Sequence, residues 1–124
     1  MYWCFDCYGL NPRPDGRCVH CGQSVAPPPG TTEVDRLVWA LRHPDGDRAV
    51  LAARALGRRR DPSAVAALRS AVTDPSDPFV AAEALRSFVA IEGVEPLRRW
   101  LEQFAVSAPF LVRDVAAEVP RCEA

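Results

Sequence analysis

Long apolar runs are absent from this 124-residue chain, and with them any segment of the length a bilayer span needs. The N-terminus lacks the basic start and apolar core of a signal peptide; it carries Asp6 and four cysteines instead. A cytoplasmic location is expected, with no membrane partner. Lysine is missing altogether. All fifteen basic residues are arginine, which with 12 prolines and abundant alanine suits a GC-rich genome and carries no mechanistic weight. Histidine is scarce, His20 and His43 being the only two. Neither a Ser-His-Asp order nor a glycine-rich phosphate loop occurs. Catalysis has little to be built from, and the chain is read as a non-enzyme. Excess positive charge is also lacking, the formal net charge being -1. A non-specific nucleic-acid binder needs a cationic surface to release phosphate counterions, so that class is disfavoured.

What the chain does have is concentrated at its start. Cys4, Cys7, Cys18 and Cys21 form two C-x-x-C pairs separated by ten residues. Each pair brings two sulfurs onto one tight turn, and two facing turns close a tetrahedral site for Zn²⁺. With four cysteines no coordination position stays open, so the zinc is expected to be structural. Four thiolates around one divalent ion add a charge of about −2. Two disulfides are the competing reading, disfavoured by a reducing compartment. A redox C-x-x-C lacks the surrounding βαβ pattern. Gly9 and Gly22, after the second cysteine of each pair, are expected to take turn conformations cheap only for glycine. His20 is expected to point away from the metal. Cys122 reads as a spare thiol in the tail.

Trp3-Cys4-x2-Cys7-x3-Asn11-x6-Cys18-x2-Cys21 resembles the Ran-binding-protein type of zinc finger, a short zinc ribbon. The resemblance covers about 20 residues and implies a fold in which Asn11 braces the loops. The tryptophan stands next to the first cysteine, where the family usually keeps one residue between them. Members bind ubiquitin or single-stranded RNA. The ubiquitin binders carry Thr-Phe after the second cysteine, and this chain has Tyr8-Gly9. The RNA binders stack a base on the tryptophan beside arginines, which Trp3, Arg13 and Arg17 could imitate. The other reading is that Tyr2, Trp3 and Phe5 pack on the helices downstream, since so small a module has little core of its own.

Ala26-Pro27-Pro28-Pro29-Gly30 excludes helix and central strand and forms a short, stiff spacer, residues 26–32. Thr31 or Thr32 can then cap a helix. The spacer is short enough to hold residues 1–25 against the first helix. Trp3 or its neighbours are expected to pack on the helix bearing Val34–Leu41.

Residues 33–120 punctuate themselves as helices, at about 33–43, 46–58, 62–73, 78–91, 94–105 and 108–119. Asp61-Pro62 and Asp77-Pro78 each supply an N-cap with proline at the first helical position, and Ser107 with Pro109 is similar. Gly57 and Gly93 are expected at or near helix ends. Apolar stripes of period 3.6 include Val34, Leu37, Val38 and Leu41; Ala49, Ala52, Ala53 and Leu56; Ala81, Ala84, Leu85 and Phe88; and Val94, Leu97, Leu101 and Phe104. Val50-Leu-Ala-Ala-Arg-Ala-Leu56 and Val80-Ala-Ala-Glu-Ala-Leu85 repeat at a period of about 30 residues.

With Gly57, Asp61-Pro62 and Ala64-Val65, the pattern is similar to the short bacterial form of the HEAT repeat. The resemblance implies a mainly α fold, a short α-solenoid of about six antiparallel helices, here preceded by the small zinc ribbon and followed by a tail at 121–124. Such arrays are mostly protein-binding scaffolds; a minority act on tetrapyrroles or DNA. A protein-protein adaptor is therefore expected, with a nucleic-acid binder using the finger and arginine clusters as the alternative. The candidate contact residues are Arg58, Arg59 and Arg60 in an inter-helix turn, Arg69, Arg98 and Arg99 on the second helices, and Phe79 and Phe110 in the first turns of theirs. Interspersed Asp61, Glu95 and Glu102 make the surface mixed, which suits protein better than DNA. His43, before Pro44, is read as solvated or capping.

Overall fold

The computed structural model describes residues 1–73, 77–107 and 113, with residues 104–107 described by their backbone alone. The expected helix at 108–119, Phe110, Cys122 and the tail lie outside the described residues, as does the side chain of Phe104. The chain opens with an antiparallel pair of two-residue strands, β1 (Tyr2–Trp3) and β2 (Leu10–Asn11), in the register Tyr2 opposite Asn11 and Trp3 opposite Leu10. Five α-helices follow among the described residues: α1 (Glu33–Ala40), α2 (Gly46–Arg59), α3 (Val65–Thr73), α4 (Pro78–Glu92) and α5 (Val94–Ser107). The fold is mainly helical. No described helix is long and apolar enough to cross a membrane.

Local sequence explains most boundaries. Thr32 caps α1 in a complete capping box: its hydroxyl accepts from the Asp35 amide at 3.1 Å, and the Asp35 carboxylate accepts from the Thr32 amide at 3.0 Å. Asp61 accepts from the Ser63 amide and Asp77 from the Phe79 amide, each ahead of its proline. Helix α1 stops at Ala40, short of the expected residue 43. Proline at 44 disfavours helical geometry at His43, and the chain leaves the helix before it. The expected helix at 62–73 starts as a 3-10 turn, Pro62–Ala64, before α3. Gly93 caps α4 with φ 88°, as glycine near a helix end should.

Gly57 falls near the end of α2, as expected, but is not its cap. It lies inside α2, and the cap is Arg60 in the left-handed conformation, φ 52°. Gly57 is needed for a close helix approach. A Cβ there would run into Ser87 Oγ, with Ser87 Cβ at 2.8 Å and Ser87 Cα at 3.0 Å. Ser87 in turn is buried and donates its hydroxyl to the Ala53 carbonyl at 2.6 Å. Small residues thus set the distance between α2 and α4, and the stripe Ala49, Ala52, Ala53, Leu56 is buried as expected.

These two helices run side by side in the same direction. Gly46 sits by Asp77, Arg54 by Glu83 and Gly57 by Ser87, so these residues of α2 face residues about one sequence repeat later. One continuous core joins α1 to α5, with Leu56, Leu68 and Leu85 fully buried at its centre. Burial of each such leucine contributes about 2 kcal/mol.

Alanine is the better helix former, yet Gly57→Ala is expected to lower the unfolding free energy by about 1–3 kcal/mol, because the backbone of Ser87 cannot give way. Urea unfolding checks this; an unchanged or higher midpoint would mean that α2 and α4 do not approach as described.

Candidate metal centre and docking surface

The two C-x-x-C turns are built alike. In the first, the Cys4 amide donates to the Gly9 carbonyl and the Tyr8 amide to the Cys4 carbonyl; in the second, the Cys18 amide donates to Gln23 and the Gly22 amide to Cys18. The residue after the second cysteine must then take a left-handed conformation: Gly22 has φ 79° and Tyr8 has φ 62°. Gly22 fits the sequence reading. At the first turn the expectation fell on Gly9, and the strained residue is Tyr8 instead. Gly9 leaves room for the His20 ring, since a Cβ there would lie 2.5 Å from it.

The turns aim four sulfurs inward. All four Sγ atoms lie within 4.8 Å of one another, with Cys4–Cys21 at 3.8 Å and Cys7–Cys18 at 3.6 Å. Sulfurs at the corners of a tetrahedron 2.3 Å from a central ion are about 3.8 Å apart. The separations exceed a disulfide bond and all four cysteines are free. Backbone amides donate to the sulfurs: Asp6 to Cys4 at 3.3 Å, Gly9 to Cys7 at 3.4 Å and His20 to Cys18 at 3.3 Å. Such donors favour thiolate over thiol. The cluster can hold a metal ion.

Asn11 braces the cluster, as the resemblance implied. It is buried, donates to the Cys18 sulfur at 3.4 Å and the Gly9 carbonyl at 3.1 Å, and accepts from the Val19 amide at 2.9 Å. Desolvation works to raise the Cys18 thiol, but Asn11 and the amides of Cys21 and His20 outweigh it and bring it down to about 6. Cys7 goes the other way. The Gly9 amide favours its thiolate, yet burial and the three neighbouring sulfurs push it up to about 12. One negative sulfur is tolerated and a second is opposed, so four thiolates need a cation among them. His20 Nε2 lies 3.0 Å from the Leu10 carbonyl and takes no part in the cluster.

An aromatic cluster joins this module to the helices. Phe5 and Tyr8 both stack on Trp39 of α1, at centroid distances of 5.3 and 4.9 Å. The Tyr8 hydroxyl donates to the Trp39 carbonyl, in the last turn of α1. Trp3 meets His43 edge-on at 4.4 Å, and His43 also meets Tyr8 and Trp39. The expected packing of Trp3 or its neighbours on the first helix is thus present through Phe5 and Tyr8. The strain at Tyr8 is matched by these contacts; glycine at that position would relax the turn and lose them. His43 corrects a reading. It is 6% exposed rather than solvated, although its Nδ1 does cap, accepting from the Asp45 amide at 2.9 Å. That bond leaves the ring proton on Nε2, which is buried without a hydrogen-bond partner among the described residues, as is Trp39 Nε1. Neither Trp39 nor His43 carried a sequence signal for this role.

The remaining candidate residues are dispersed. Arg13 pairs with Asp15 at 3.5 Å and Arg17 donates to the Gly22 carbonyl at 2.9 Å. Both line a shallow depression of about 370 Å³ with Asn11 and Val19, and Trp3 does not reach it. Arg58, Arg59 and Arg60 are exposed at the end of α2. Arg69 lies over the Trp100 ring at 5.9 Å, Arg98 pairs with Glu95 at 2.6 Å, and Arg99 is exposed. Phe79 is 66% exposed, and the structure places beside it a residue the sequence reading passed over, Leu51, 59% exposed. They border a groove of about 610 Å³ between α2 and α4, lined also by Asp47, Val50, Arg54, Ala82, Glu83 and Arg86. Leu51 reads in sequence as one more apolar residue of α2, and only its placement off the buried stripe marks it.

The model for HEAT repeats matches residues 34–119. The chain belongs to the HEAT-repeat family. The match begins in α1 of this HEAT-repeat chain and leaves the four cysteines outside it. No curated protein and no solved structure matches the chain.

Burial holds the His43 imidazole below its ordinary value, with the nearby Arg48 guanidinium acting the same way and Asp45 opposing. The unfolded chain therefore binds this proton more readily than the folded one. Stability should fall as pH drops below about 6.5, and flatten once the folded imidazole is protonated. Urea midpoints between neutral pH and pH 5 should show this slope in the native chain and a shallower one in His43→Gln. Equal slopes in the two would contradict the buried, neutral ring.

Proposed function

We propose that this HEAT-repeat chain is a non-enzymatic protein-binding adaptor, a short α-solenoid over residues 33–120 joined by the 26–32 linker to a structural zinc ribbon at residues 1–25. The observation that carries the reading is the α2–α4 groove. Two large apolar side chains, Leu51 and Phe79, stand exposed there on repeat-equivalent helices, rimmed by charge. Exposed apolar area with a polar rim is how protein contact sites are built. The family match supports a scaffold, since HEAT repeats are generally interaction surfaces. The nucleic-acid alternative draws less support. Arg13 is engaged by Asp15, Trp3 is turned onto His43, and the net charge is -1.

In this reading Cys4, Cys7, Cys18 and Cys21 bind Zn²⁺, whose preference for four tetrahedral thiolates suits their spacing. The metal takes no part in chemistry; it replaces the hydrophobic core that so short a module cannot assemble. The purified chain should contain one zinc per molecule by elemental analysis, and Cys18→Ser should contain almost none. Iron or no metal in the native chain would overturn the assignment.

Affinity capture tests the adaptor reading. The native chain should retain a specific protein that Leu51→Asp/Phe79→Ser does not, while replacing Arg58, Arg59 and Arg60 by glutamine leaves retention unchanged. Recovery of nucleic acid instead, lost with the arginine substitutions, would overturn it.

A further inference from the structure

The α2–α4 groove is polar along its length. Since the two helices run in the same direction, Asp47 and Phe79 lie at one end, Val50, Leu51 and Ala82 in the middle, and Arg54, Glu83 and Arg86 at the other. From Asp47 to Arg54 is about 10 Å along the helix axis. Glu83 sits between the two arginines, at 3.0 Å from Arg54 and 3.3 Å from Arg86. Two cations against one anion leave that end positive, and Asp47 leaves the other negative. The arginines are already held by Glu83, so little side-chain freedom remains to be lost when they meet a partner.

A surface that is negative at one end, apolar in the middle and positive at the other is complementary to itself turned through 180°. That is the requirement of a two-fold interface, in which residue i meets j and j meets i. We infer that the α2–α4 groove is a self-association site, its occupant a second copy of this chain laid antiparallel across it. Asp47 of each copy faces Arg54 and Arg86 of the other. Leu51 and Val50 meet across the axis. Phe79 of each lies against the guanidinium end of the other, where an arginine over an aromatic ring is favourable. The groove is small beside a standard interface, so the dimer is weak and concentration-dependent. The inference rests on the proposal that this face binds protein, and it names the partner.

Sedimentation equilibrium over a range of concentrations tests it. The native chain should move from the mass of one copy towards that of two. Asp47→Arg and Arg86→Glu each place like charges together at both ends, and each alone should remain monomeric, with circular dichroism confirming the helices. An equimolar mixture of these two variants should recover the dimer. At one end the introduced arginine of the Asp47→Arg copy then meets the introduced glutamate of the Arg86→Glu copy, while at the other the native Asp47 and Arg86 still pair. A misfolded variant could not give that recovery. A chain that stays monomeric at every concentration, a dimer indifferent to both substitutions, or a mixture that does not recover would each overturn the inference. A monomeric native chain whose protein partner is still lost with Leu51→Asp/Phe79→Ser would overturn the self-association alone and leave the adaptor reading standing.

Discussion

The ring of Trp39 is the point on which the two parts of the molecule meet. Phe5 and Tyr8, from the first C-x-x-C turn, both stack on it, and the Tyr8 hydroxyl bonds to its carbonyl. Stacked aromatic pairs contribute about 0.5–1.5 kcal/mol each beyond the area they bury. A hydrogen bond adds about 1 kcal/mol. Phe5 and Tyr8 lie on one turn, the one that aims Cys4 and Cys7 into the sulfur cluster. Sulfur convergence, turn geometry and docking on α1 are therefore linked, from the cysteine spacing to the helix.

Tyr8 shows how the link is enforced. The two C-x-x-C turns share one hydrogen-bond pattern, and both need a left-handed residue at the same place. The second uses Gly22, which costs little. The first uses Tyr8, which costs of order 1 kcal/mol of backbone strain. An isolated module would gain from glycine at both. The tyrosine makes sense only against Trp39. The strain thus marks this turn as the face that is docked, while the second turn, with Gly22 and Val19 exposed, faces away.

Much of this was legible in the sequence, where the signal was local. The C-x-x-C spacing foretold the sulfur cluster. Asp61-Pro62 and Asp77-Pro78 foretold two caps, and the alanine stripe of α2 foretold its buried face. Readings that depended on distant residues fared less well. Gly57 does lie near a helix end, but its packing role shows only once Ser87, on another helix, is seen to leave no room for a Cβ. His43 looks solvated until three aromatic rings close over it. Trp39 lies off the apolar stripe of its own helix, and Phe5 and Tyr8 are some thirty residues away in sequence, so no periodicity could single it out. Leu51 and Phe79 share a groove only because the repeat stacks α2 on α4 in register.

Docking of the cysteine module through Tyr8 is the contact on which the arrangement of the two parts depends. Hydrogen exchange of the α1 amides, Val34 to Leu41, in the native chain and in Tyr8→Gly tests it most directly. Glycine should keep the turn and the bound metal, so metal content should match the native chain. Exchange in α1 should nonetheless quicken, while Ala81 to Val89 in α4 stay as protected as before. If α1 remains equally protected with the metal in place, the rings on Trp39 do not hold the two parts together.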